Sequence, residues 1–106
     1  MTRTFDTYGI VATDLETARA RVEAAVPVKF VLHESMFWGG DYYLSNSDEF
    51  GELVIRRNHN SYTGELNEPD HPDWTIYVSA NEPPDPEALR ARLTAGGLSL
   101  LNRAVV

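Results

Sequence analysis

Trp74-Thr75-Ile76-Tyr77-Val78-Ser79-Ala80, then Asp85-Pro86-Glu87-Ala88-Leu89, then Gly96-Gly97-Leu98-Ser99-Leu100-Leu101-Asn102, reads as strand, helix, strand. In Trp74–Ala80, β-branched and aromatic residues alternate, with Trp74, Ile76 and Val78 on one face. Asp85 is a natural N-cap, because its carboxylate accepts from the first free amides of a helix. Pro86 suits the first helical position, and Gly96-Gly97 supplies the stop. Ala88, Leu89 and Leu93 are predicted to face the core. Leu98 to Asn102 then forms a closing strand.

The N-terminal half follows the same logic. Phe5 to Ala12 is predicted as a strand. Thr13-Asp14-Leu15-Glu16 has capping-box spacing: the Thr13 hydroxyl would bond the Glu16 amide, and Glu16 would reach back. The helix that follows runs to about Ala25, with Leu15, Ala18, Val22, Ala25 and Val26 on one face and Arg19, Arg21 and Glu23 pointing away. Pro27 ends it. Val28 to His33 alternates as a second strand. Phe37-Trp38-Gly39-Gly40 turns the chain into a third strand, Asp41–Ser45, and Glu52–Arg57 is a fourth. Residues 58–73 are polar, broken by Gly64, Pro69 and Pro72, and carry no period. The order is βαβββ then βαβ. This predicts one α+β domain over 1–106: a mostly antiparallel sheet with two helices on one face.

Charge is distributed very unevenly along the 106 residues. Between Phe30 and Leu89 stand Glu34, Asp41, Asp48, Glu49, Glu52, Glu65, Glu68, Asp70, Asp73, Glu82, Asp85 and Glu87, against only Arg56 and Arg57, so that segment carries about −10 of a chain whose total is −7. Such a field repels nucleic acid and anionic membrane and steers a basic partner inward. The chain has no cysteine, which removes disulfides, thiolate nucleophiles and thiolate metal sites. It has no apolar run long enough to span a membrane and no signal-type N-terminus, so a cytoplasmic location is expected.

No stretch spells out catalysis. No serine sits in a Gly-x-Ser-x-Gly elbow, and Gly39-Gly40 lacks the further glycine and lysine of a phosphate loop. His33, His59 and His71 lack metal-ligand spacing, so no metal, cofactor or catalytic residue is expected. Arg56-Arg57 is the one basic spot in the belt; cross-strand pairing with Glu34 or Glu52 is its expected role.

Tyr8-Gly9-Ile10-Val11 with Thr13-Asp14-Leu15-Glu16-Thr17-Ala18 resembles the opening of a vicinal-oxygen-chelate (glyoxalase/bleomycin-resistance) module. Trp74-Thr75-Ile76-Tyr77-Val78, with Leu89 through Gly97-Leu98, resembles the start of its second module. The chain departs from that family at Thr7 and near Trp74, where metal-binding residues are expected. It also ends at Val106, before the strands that would carry a further carboxylate ligand. The resemblance thus implies the fold, and a small-molecule-binding or enzymatic domain, more than a working metal centre.

In size, acidity and surface aromatics beside acids, the chain also resembles the small α/β immunity proteins that neutralise bacterial polymorphic or contact-dependent toxins. That resemblance implies a non-enzymatic protein, monomer or homodimer, that occludes a basic toxin domain. The expected contact surface has Trp38, Tyr42, Tyr43 and Tyr62 at its desolvated centre. Its steering acids are Asp41, Asp48, Glu49 and Glu52, with Glu65, Glu68 and Asp70 in the long loop. The competing reading buries the aromatics of 37–43 in a hairpin core and leaves the loop acids merely solvated.

Overall fold

A computed structural model describes residues 2–35, 40–59 and 64–106. The elements are β1 (Thr4–Ile10), α1 (Leu15–Ala25), β2 (Val31–Ser35), β3 (Gly40–Ser47), β4 (Gly51–Arg57), β5 (Ile76–Asn81), α2 (Pro86–Ala95) and β6 (Ser99–Val105). They form one six-stranded sheet in the order β2-β3-β4-β5-β1-β6. Every neighbouring pair is antiparallel. β5, α2 and β6 make a split βαβ unit with β1 inserted between its strands. The segment that the chelate resemblance assigns to a second module thus joins the same sheet as the first.

Alternation along the central strands builds the core. Tyr8 and Ile10 of β1, Leu53 and Ile55 of β4, and Ile76, Val78 and Ala80 of β5 pack against Leu15, Ala18 and Val22 of α1 and Leu89 and Leu93 of α2. Both helices therefore cover one face, as the α+β reading requires.

Several local expectations shift. The N-cap of α1 is Asp14, not Thr13: its carboxylate accepts from the Thr17 amide at 2.7 Å. The cap therefore lies one residue later, and Glu16 turns to Arg19 instead of reaching back. β2 begins at Val31. Val28 and Phe30 are buried, but before the strand, with the Phe30 amide held by Glu23 at 2.9 Å. Ala88 is exposed on α2, while Leu89 and Leu93 are buried. Trp74 precedes β5 and does not share a face with Ile76 and Val78. Its ring lies against Gly9, where an added Cβ would sit 2.4 Å from the indole.

Two buried polar groups fix the frame. The Asp6 side chain, 0% exposed, accepts from Arg103 Nε at 2.8 Å and from the same guanidinium's second nitrogen at 2.9 Å. This bidentate pair ties the first strand to the last, and Glu87 of α2 also bonds Arg103. Asn58, 1% exposed, organises the long loop. Its Nδ2 faces the carbonyls of Glu68 (3.3 Å), His71 (3.0 Å) and Trp74 (2.9 Å), and its Oδ1 accepts from the Glu68 amide at 2.6 Å. A loop without a hydrophobic period thus gains a polar centre. Asn58→Ala leaves those groups without partners in a buried site. We expect it to destabilise the protein by about 3 kcal/mol in chemical denaturation, with amide exchange accelerating first at residues 64–75.

Candidate functional site

Nine cationic side chains stand against sixteen carboxylates. Arg19 binds both Glu16 and Glu23, Arg103 binds both Asp6 and Glu87, and Arg3 binds Glu82. Arg56 does not reach Glu34 or Glu52 as expected. It sits between Tyr42 and Tyr77 in the register, lies 4.9 Å over the Tyr77 ring and reaches Ser79 Oγ at 3.3 Å. Among the described residues, Glu34, Asp41, Asp48, Glu49, Asp70 and Asp73 enter no ion pair.

These acids fall into two groups. Asp48 and Glu49 lie in the β3–β4 turn, with Glu52 just beyond it accepting from Asn81 at 2.8 Å. Glu34, Asp41 and the loop that carries Glu65, Glu68 and Asp70 lie toward the opposite end of the strands. Five residue steps along β4 lead from Glu52 to Arg57, so the ends stand about 17 Å apart. A set that is contiguous in sequence is thus divided by the sheet.

The aromatic centre is divided as well. Trp38 and Tyr62 lie outside the described residues. Tyr43 faces the helices: its hydroxyl donates to Glu16 at 2.6 Å, and Arg19 lies 5.9 Å over its ring. Hydrogen bonds from Arg19, and then from Tyr43, hold the Glu16 carboxyl down to about 2. The same contact raises the Tyr43 hydroxyl above its usual range. Tyr42 points to the other face and stacks on His33 with ring centroids 5.4 Å apart. His33, Tyr42, Arg56, Tyr77 and Gly9 form one lateral row across five strands. Tyr77 is buried in it, and desolvation pushes its hydroxyl up to about 12, with the Glu68 charge adding to the rise.

The arrangement that sequence reading missed is at the sheet edge. Among the described residues β2 is paired on one side only, to β3. In that pairing Glu34 stands directly opposite Asp41, and both are exposed. Like charges opposite each other oppose sheet formation. Beside them Val31 and Leu32 are 59% and 54% exposed. Leu32 shares the parity of buried Val28 and Phe30, which is why alternation alone predicts it to be covered. The register that sets Glu34 against Asp41 depends on the turn and has no local signature.

Other concavities and clusters offer less. A groove of about 500 Å³ between the C-terminal ends of α1 and α2 is lined by Arg21, Ala24, Ala25, Arg92, Ala95 and Gly96, none of them a carboxylate. Among the described residues no three His, Asp or Glu side chains gather closely enough to hold a metal ion.

If Glu34 and Asp41 repel in the free protein, Glu34→Gln should stabilise it, by up to about 0.5 kcal/mol in urea denaturation at low salt. The gain should fade as salt is added; a loss of stability would mean that Glu34 has a favourable role in the free chain. Comparison with protein-family models, curated proteins and solved structures finds no match for this chain.

Proposed function

We propose that this protein is a non-enzymatic acidic binding protein, and that its role is that of an immunity protein covering a basic toxin domain in the cytoplasm. The observation that carries this reading is that six of the twelve belt acids stand outside the ion-pair network of the described residues. The arginines that pair with carboxylates, Arg3, Arg19 and Arg103, bind Glu82, Glu16, Glu23, Asp6 and Glu87, and Glu34, Asp41, Asp48, Glu49, Asp70 and Asp73 remain without an ion pair among the described residues. Surface acids left without counter-charges weaken the compact state slightly but speed the approach of a cationic partner. A toxin that acts on nucleic acid needs a positive groove for the phosphates, and an acidic surface is a fitting plug for it. The same field disfavours binding to nucleic acid or to an anionic membrane.

The test is a pull-down with tagged protein from its own cells at low salt, eluted with a salt gradient. One stoichiometric basic protein, released by salt, is the expected result; a bound small molecule and no protein would overturn the reading. With that partner in hand, the two acidic groups separate. Glu34→Lys with Asp41→Lys, and Asp48→Lys with Glu49→Lys, should differ in stopped-flow association. The pair at the contact surface should slow association about tenfold and flatten its salt dependence; equal, unchanged rates for both variants would argue against steering.

A further inference from the structure

We infer that the partner is held by strand addition: an extended basic segment of the partner chain pairs with the edge of β2 that is unpaired among the described residues. The inference rests on the acidic-binding reading above and specifies its mode.

Sheet edges invite pairing, and proteins usually blunt them with lysine, proline or a bulge. β6, the other edge, is treated this way. Its pairing with β1 shifts between Thr7 and Tyr8, leaving Leu101 as an extra residue, and it carries Arg103. β2 has none of these devices. Its register with β3 is regular from Val31–Leu44 to Ser35–Gly40, and Val31-Leu32-His33-Glu34-Ser35 contains neither lysine nor proline. The strand presents two exposed aliphatic side chains, one on each face, and a carboxylate on the face of Leu32.

Charge selects the occupant. A second copy pairing antiparallel about His33 would set the two Glu34 side chains diagonally across the new seam on one face, each with its Asp41 one strand behind, and no cation between them. A partner strand with Lys or Arg opposite Glu34 instead meets Glu34 at one strand's distance and Asp41 at two, on one face. Two positions along, an apolar residue would cover Leu32. On the opposite face, apolar or aromatic residues would cover Val31 and the His33 ring. Backbone hydrogen bonds would supply affinity, and this alternation would supply selectivity.

The probe is a synthetic peptide with the core Thr-Lys-Tyr-Val-Val, together with two forms N-methylated on alternate residues, one series on each edge of the extended peptide. Binding to the full chain is followed by NMR shifts and amide exchange. We expect the shifts to centre on Val31–Ser35 and exchange there to slow. One N-methylated form should bind like the parent and the other at least about tenfold more weakly, since only one edge faces β2. Glu34→Lys should weaken the parent peptide by about tenfold while amide exchange in β4 and β5 stays unchanged. Equal binding of both N-methylated forms, or shifts spread over all the acids, would overturn strand addition and leave the acidic-binding reading standing. No binding of the parent would also overturn strand addition, and the pull-down would still judge the broader reading separately.

Discussion

The placement of the paired arginines is the constraint on which the frame of this molecule depends. Sixteen carboxylates share nine Lys and Arg side chains. Arg103 and Arg19 each hold two acids, and both do so at joints of the frame. Arg103 neutralises the fully buried Asp6, where an unpaired charge would be intolerable, and links the first strand, the last strand and α2. Arg19 braces α1 through Glu16 and Glu23, and Glu16 in turn orients Tyr43. With these arginines committed inside the frame, acids at the sheet edge and in the turns face solvent with their charge uncancelled.

A second polar device determines how that charge is displayed. Asn58 substitutes for a hydrophobic core under the long loop, gathering the backbone of Glu68, His71 and Trp74 around one side chain. The loop is thereby held against the sheet, where Tyr77 is buried beneath the Arg56 guanidinium. Loop acids such as Glu68 and Asp70 are consequently borne on an anchored backbone. Preorganised charge is more useful for binding than charge on a free tail, because less ordering is lost on association.

The sequence was most legible where local chemistry decides structure. Asp85, Pro86 and Gly97 bound α2 as their capping roles dictate, with Gly97 in the left-handed region at φ 93°. Alternation in Leu53–Ile55 and Ile76–Ala80 picks out the side chains that face the helices, although Val54, Tyr77 and Ser79 on the opposite face are buried as well. Legibility failed where structure depends on what lies opposite. The Asp14 cap replaced Thr13 because its carboxylate accepts from the Thr17 amide, one residue beyond the Glu16 amide expected for Thr13. Arg56 met Tyr77 instead of an acid because of a register that no local pattern encodes. The candidate site suffered most from this. Residues adjacent in sequence, Tyr42 and Tyr43, point to opposite faces, whereas Glu34 and Asp41 become direct neighbours through the β2–β3 pairing.

The salt dependence of the free protein's stability tests this distribution of charge most directly. Urea midpoints measured at neutral pH over a series of sodium chloride concentrations report whether repulsion or ion pairing dominates the native surface. Acids left without counter-charges require the midpoint to rise as screening begins to act over the Debye length. A midpoint that falls with salt would mean that favourable pairs dominate that surface, and the acidic belt would then be already neutralised within the chain and not held for a partner.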